Sequence, residues 1–541
     1  MSRRNDIFFD DKICNDKVRK EILIMEISIC ACVLDFCIFA KNNTISMSCS
    51  IYNIKKNPFS KSSAEEELDV LDEIYYQPKH YAELIELAKN GHSRFLLGQR
   101  GDGKSATIYK LQKDLSHEKT LSVMITRYDN YPLSDNENYF LYSIFREMTL
   151  AVAKILFENR GRAKMLNKTQ KSQLSLFIEI FYDKYVSEQF VDMAKGVQRR
   201  KSFNFITKLI NRNVRALNNI VKNAANLSVG VVRTGLDLPS SGELSLDVLS
   251  EFEVPEIRSM TMDEVVCWGK EKLVLAIRRL KSIAQSMGYK TVIILFDKID
   301  EYADVCMDVE KVADFTSSIL TDTDFLYSPD ISIVFSLWSE AKNSLGCRGV
   351  RYDKFKSIDI RWSKQDLENL IDKRLSAYSI DKNQPVELKS LIVDENARNE
   401  LLEVAFGSPR SLINMLGYIY HAESRSGILS FSPAAISEGM IKFCKEFDYV
   451  SMLPSKLGKS TDMLKWIDRL LSVKKHTFSA DDVRLSLGQK TTTVQQYIDY
   501  WKKISLIKDV FMPGPDGKPL YEIVDPKLKF LVSRGVTGLG R

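Results

Sequence analysis

Eight consecutive residues, Gly98-Gln99-Arg100-Gly101-Asp102-Gly103-Lys104-Ser105, fill the pattern G-x-x-x-x-G-K-S without gap or mismatch. The three glycines let the backbone adopt angles that a β-carbon forbids, so successive N–H groups can turn inward around a triphosphate. Lys104 then reaches the β- and γ-phosphates. Ser105 is placed to ligate Mg²⁺, and the N-terminus of the helix opening here turns its positive dipole end to the same anion. Phe95-Leu96-Leu97 leads in as an apolar run, and Ala106, Ile108 and Leu111 alternate with Lys110, Gln112 and Lys113 beyond. The reading is strand, phosphate loop, helix, with Gly98 through Ala106 binding the ligand. No guanine-reading motif stands out, so ATP is the expected nucleotide.

A loop of this kind needs carboxylates opposite it. Residues 291–301, TVIILFDKIDE, give an apolar run ending in Asp297, with Asp300 and Glu301 one turn further on. A parallel strand buried on both faces reads as a continuous apolar run. An acid at its C-terminal end lies beside the phosphate loop, where Asp297 can hold Mg²⁺ through water. Glu301 or Asp300 can then orient an attacking water. Taken by itself the segment reads first as an ordinary strand with a polar turn; the intact loop upstream reverses that preference.

The elements that must position these groups follow from hydrophobic period. Residues 62–90 read as helices broken at Pro78, with Leu68, Leu71, Ile74, Tyr81 and Leu84 on the apolar face. Leu121 to Arg127 reads as a second strand, 138–157 and 262–288 as helices, and Ile331 to Leu337 as a further buried strand with Ser336 or Ser339 near its end. Ile358-Asp359-Ile360 reads as an edge strand. Before it lie Arg348 and Arg351, either of which could offset charge on a transferred phosphate; surface arginines in a loop are the alternative. From Ser363 the pattern is helical, with Gly407-Ser408-Pro409-Arg410 breaking one helix and starting another, so that Arg410 projects from a helix N-terminus. Residues 461–541 read as helix, turn, helix and then a hairpin around Pro513 to Pro519, the winged-helix plan. Lys490, Gln495, Gln496 and Lys503 fall on or beside its second helix.

Lys104 and Asp297 are 193 residues apart, far more than a strand–helix unit needs. Residues 158–260 are therefore an insertion, mainly helical, with the polar, acidic stretch 236–257 like a linker. The net charge is +6, but residues 161–222 hold 13 Lys/Arg against 4 Asp/Glu, so the basic character is local. A helix over 202–222 would set Lys201, Lys208, Arg212, Arg215 and Lys222 along one face. That stripe reads as a solvated face or an oligomer contact, with nucleic acid or anionic lipid as the alternative.

With 541 residues, 44% of them hydrophobic and 27% charged, the chain has the composition of a folded protein of several domains. Its 9 cysteines form no C-x-x-C pair, which argues against a zinc site or a disulfide framework and for a reducing compartment such as the cytoplasm. Ile22 to Ala40 is nearly long enough to span a bilayer after a basic start, but Glu26 and Asp35 make insertion marginal, so no membrane partner is expected. Residues 1–46 are left as an N-terminal extension, with Met47 as an alternative start. The fold class expected is α/β: a P-loop NTPase core with a parallel sheet (47–157 and 261–362), the helical insertion (158–260), a helical lid (363–450) and a C-terminal winged-helix domain (451–541).

GQRGDGKS, LFDKIDE, the basic stretch at 351–355, WSKQDLENLIDKRL and GSPR together resemble bacterial P-loop ATPases at the border of the AAA+ and STAND groups, whose relatives include the origin-recognition initiators. The resemblance covers roughly 57–541 and is loose in the insertion. It implies a sensor arginine at Arg410, a magnesium acid at Asp297 and a water-positioning acid at Glu301 or Asp300. It also implies a homo-oligomer in which Arg348 or Arg351 serves a neighbour's site, ATP hydrolysis used as a switch with a protein partner or effector, and a role in defence against phage or mobile DNA. A DNA-binding loader or translocase is the alternative. Lys298 departs from the pattern, standing where relatives often carry a small or acidic residue.

Overall fold

The computed structural model describes residues 50–182, 188–193, 195, 228–244, 246–254, 257–305, 308–327, 331–450, 460–511 and 517–540. The N-terminal extension with Ile22 to Ala40, the basic stripe at 201–222 and most of the expected wing tip lie outside the described residues.

One parallel sheet carries the site. Its strands are β1 (Arg94–Gly98), β2 (Thr120–Ile125), β3 (Thr291–Phe296), β4 (Ser332–Trp338) and β5 (Ser357–Asp359), in the order β2-β3-β4-β1-β5. Gly98 pairs with Trp338, and Phe296 with both Ile125 and Phe335, so the strands finish along one edge. The sheet is covered on both faces, and alternate residues of one strand enter different cores. Phe95, Leu97, Val292, Ile294 and Phe296 pack into one cluster, while Leu96, Ile293, Leu295 and Val334 pack into another with Ile108, Leu111 and Leu115 of the helix Lys104–Ser116. Double burial is why β1 and β3 read as unbroken apolar runs.

The first core also takes in the helices Glu137–Glu158 and Lys168–Ile180 and much of the described part of the insertion. The stretch read as a linker differs from expectation. Leu238, Leu244, Val248, Phe252 and Val254 are buried in this core, and Phe252 stacks on Trp268. Its acids and prolines made it look open, yet Val248 and Phe252 of the short helix Leu246–Phe252, and Leu244 and Val254 beside it, are buried. The helix expected over 262–288 divides into Met262–Val266 and Gly269–Ser286 at Gly269, whose φ is +77°. The expected helices of 62–90 are shorter too: Ala64–Glu67, Leu71–Ile74 and Lys79–Lys89, with Leu68 exposed.

A separate core joins the helices Lys364–Tyr378, Glu395–Ala405, Pro409–Ala422 and Pro433–Glu446 to the C-terminal unit. That unit runs helix Ser460–Leu471, β6 (Thr477–Ser479), helices Ala480–Leu487 and Thr491–Lys503, β7 (Ile507–Val510), β8 (Leu520–Ile523) and helix Pro526–Ser533, with an antiparallel sheet in the order β6-β8-β7. Ile51 and Phe59 belong to this core as well. The described chain, from residue 50 on, therefore begins in the second body, crosses to the first at residues 60–76, and returns at residues 360–363. Both crossings are at the phosphate loop.

Candidate functional site

The loop is shaped by its glycines. Gly101 and Gly103 have φ of +91° and +87°, in the left-handed region, and Gly103 precedes the first turn of the helix that opens at Lys104. A Cβ on Gly101 would stand 2.8 Å from Ser408 Oγ and 3.3 Å from Arg410 Cβ. Only a glycine lets the loop meet the helix Pro409–Ala422 this closely. Within the loop, Asp102 is buried and its carboxylate accepts from the Gln99 amide at 2.6 Å. Burial pushes its carboxyl up to about 6 against the lowering effect of that bond and of Lys104. Gln99 is anchored in turn, accepting from Trp338 Nε1 at 3.0 Å and donating to Glu340 at 2.6 Å.

Lys104 is 8% exposed, and its ammonium donates to the carbonyls of Gly98 and Gln99 at 3.1 and 3.2 Å. Asp300 Oδ2 lies 3.8 Å away. Asp297, 1% exposed at the end of β3, carries an Oδ2 with no hydrogen-bond partner. Such an orphaned buried carboxylate oxygen fits a cation, and Ser105 lines the same cavity. Mg²⁺ typically takes one or two protein ligands and completes its shell with phosphate and water. No group of three acidic, His or Cys side chains converges as a metal cluster among the described residues.

Asp297, Lys298, Asp300 and Glu301 all line this cavity, together with Lys104 and Ser105. The tight turn after β3 depends on Lys298 at φ +62°. Its ammonium pairs with Glu65 at 2.6 Å. Burial opposes it, but the bonds from Lys298 and Ser63 hold the Glu65 carboxyl below its usual range. The departure at Lys298 thus has a local explanation: it ties the acidic turn to the segment crossing between the bodies.

Arg410 lines the cavity, and its backbone amide donates to Gly101 O at 3.3 Å. Ser408 caps its helix through the Ser411 amide. Ser336 and Ser339 are near the end of β4, each with a buried hydroxyl that has no hydrogen-bond partner. Arg348 and Arg351 are not brought to this cavity. Arg348 pairs with Glu310 and Asp314, and Arg351 with Asp353.

Sequence reasoning missed the apolar part of the cavity lining. Trp362 packs partly buried against both the second core and the sheet core, and its Nε1 donates to Asp102 O at 2.9 Å. Tyr76 lies beside it with ring centroids 6.3 Å apart. Leu71, Ile74, Leu370 and Ile413 complete an apolar wall into which Glu67 and Arg374 are set. The one available signal was Trp362 immediately before the Ser363 cap with Leu367 four residues into the helix, a hydrophobic staple. That pattern marks a helix start and says nothing of the loop it touches.

No family model and no curated protein matches the chain. Among solved structures it is similar to Cdc6p from Pyrobaculum aerophilum (13% identity, TM-score 0.32, covering 90% of this chain and 96% of that one). It is similar also to the Aeropyrum pernix ORC1 protein in complex with DNA (12%, 0.33, 87% and 96%), and to the ORC2 protein of the same organism in ADPNP–ADP complexes (10%, 0.35, 86% and 97%).

Proposed function

We propose that the chain binds and hydrolyses Mg-ATP, and that the bound nucleotide sets how the sheet body and the second body sit against one another. The observation that carries this reading is Trp362. It packs on both cores while donating to the phosphate loop, so a change at the loop is felt where the bodies join. Gly98 through Ala106 cradle the phosphates, Lys104 neutralises them, and Arg410 reaches them from the lid helix. Ser105 and Asp297 would hold Mg²⁺, which when bound offsets charge on the β- and γ-oxygens. Glu301, exposed at the cavity wall, orients the attacking water, while Asp300 steadies Lys104.

Calorimetry and phosphate release test this. Lys104→Ala is expected to abolish ATP binding, and Glu301→Gln to bind normally while turning over at least about 100-fold more slowly. Wild-type affinity in Lys104→Ala would refute the site. The switch reading uses the winged-helix-like unit to hold a protein partner or the resting conformation. On that unit Lys502 is paired with Asp509 and Lys518 with Asp481, which leaves it less cationic than its lysine count suggests. A titration with DNA at two salt concentrations separates the classes. Tight binding that weakens steeply with salt and stimulates hydrolysis would replace the switch with a DNA-acting ATPase. The implied defence role predicts fewer phage plaques on cells carrying the wild-type chain than on cells carrying Lys104→Ala.

A further inference from the structure

We infer that Glu67 reads the exocyclic amino group of adenine, with Arg374 holding its carboxylate in position. This rests on the nucleotide reading above and names the residue that selects the base. The cavity is lined by Lys104 and Ser105, by Trp362, which is hydrogen-bonded to the phosphate loop, and by the apolar side chains Leu71, Leu370 and Ile413. Apolar walls of this kind accept a flat ring but do not tell one purine from another; polar groups placed among them supply the choice.

Glu67 and Arg374 are such groups. They are 5% and 3% exposed, and both line the cavity. Arg374 Nη2 meets Glu67 Oε1 at 2.5 Å. Arg374 is fixed further by donating from Nε to Pro58 O at 2.5 Å and from Nη2 to Lys61 O at 2.8 Å. Tyr378 donates to the same Glu67 oxygen at 3.3 Å. The bonds described for Glu67 all fall on Oε1, which leaves Oε2 as the acceptor not already engaged. A carboxylate paired with a guanidinium only accepts hydrogen bonds. Set against position 6 of a purine, it favours an amino group there and repels a carbonyl oxygen; set against positions 1 and 2 it would accept from guanine instead, and tighter binding of GTP than of ATP would overturn the inference. Adenine carries an amino group at position 6; hypoxanthine and guanine carry a carbonyl there.

A pair that only clasps the crossing segment to the helix Lys364–Tyr378 would leave the base unread, and the two cases differ measurably. Mg-ATP, Mg-ITP and Mg-GTP are titrated into the full chain by calorimetry. ATP is expected to bind at least about tenfold more tightly than either of the others, the gain of a hydrogen bond to a charged group. Glu67→Gln, whose amide presents a donor as well as an acceptor, is expected to bring the ATP-to-ITP ratio to within about threefold. Equal affinity of the wild-type chain for the three nucleotides overturns the inference without any variant. A folded Glu67→Gln with an unchanged ratio overturns it as well. If the three bind equally and Lys104→Ala abolishes all binding, the nucleotide site stands and only the base reading falls. If none binds, both fall.

Discussion

Gly101 is the residue where loop and lid helix press hardest, and Gly101→Ala measures that contact. The position has φ +91°, and an alanine held in left-handed geometry costs about 1–2 kcal/mol. The new Cβ would also stand 2.8 Å from Ser408 Oγ and 3.3 Å from Arg410 Cβ, so the helix Pro409–Ala422 must retreat by a few tenths of an ångström. Overpacking of this order costs a further 1–3 kcal/mol, roughly. The retreat draws Arg410 away from the phosphates, and the expected result is ATP affinity lowered by about 10- to 100-fold, read by calorimetry. Ser408→Ala isolates the steric part. Alone it removes a helix cap, at about 1 kcal/mol; in the Gly101→Ala background it also removes the hydroxyl that the new methyl meets. Denaturant unfolding of the four chains should therefore give an interaction energy of about 1 kcal/mol in favour of the double variant. Additivity within about 0.3 kcal/mol, or Gly101→Ala binding ATP within threefold of wild type, would refute the packing argument.

Two further outcomes follow from the charges around the site. Because burial raises the Asp102 carboxyl from 3.8 to about 6, the folded chain holds more protons than the unfolded one in that window, and stability falls as pH rises through it. Asp102→Asn should then raise the melting temperature at pH 7.5, by the equivalent of about 1–3 kcal/mol, with the gain vanishing near pH 4; an equal gain at both pH values would refute it. If Arg351 serves a neighbour's site, turnover per chain rises with protein concentration, and Arg351→Ala lowers turnover without changing ATP affinity. Full activity in a dilute monomer would exclude that role.

The parts of the site that lie within one stretch of chain were legible from residue order alone. The loop's curvature needs glycines at fixed places, and β3 must be apolar on both faces before it can end in Asp297, so Gly101, Gly103, Lys104 and Asp297 could be located without coordinates. The GSPR break likewise foretold a helix N-terminus at Arg410, because proline is welcome in a first turn. What was not legible is what arrives from a distance. Glu67 and Arg374 are 307 positions apart, and nothing local marks either one as buried. Leu68, expected in a core, is exposed because the segment around it is a short helical turn followed by another, and not one continuous helix with a single apolar stripe. The linker reading of 236–257 failed for a related reason: acids and prolines dominate its composition, while a few well-spaced apolar residues decide its packing.

Movement at the lid helix does not stop at the lid. Lys527, 3% exposed on the helix Pro526–Ser533, sits over the Phe447 ring at 4.4 Å, and Arg534 pairs with Glu400 at 2.6 Å. The lid helices and the C-terminal unit share one core, and a close-packed core transmits a displacement more readily than it absorbs one. Turning such a body between two settings with near-complete occupancy of each requires a differential affinity of about 5.5 kcal/mol. Hydrogen bonds to charged groups contribute about 1.5–3 kcal/mol each, so roughly two to four that exist in only one nucleotide state are enough. On the proposed reading Arg410, which lines the cavity from the lid helix, is one of the side chains that would supply that difference. On that reading the γ-phosphate would meet Lys104 and Arg410 and the base would meet Glu67, so hydrolysis is expected to release the lid contact while the base contact persists. ADP should then bind Glu67→Gln more weakly than wild type yet bind Arg410→Ala as tightly as wild type, and equal losses in the two variants would refute that separation.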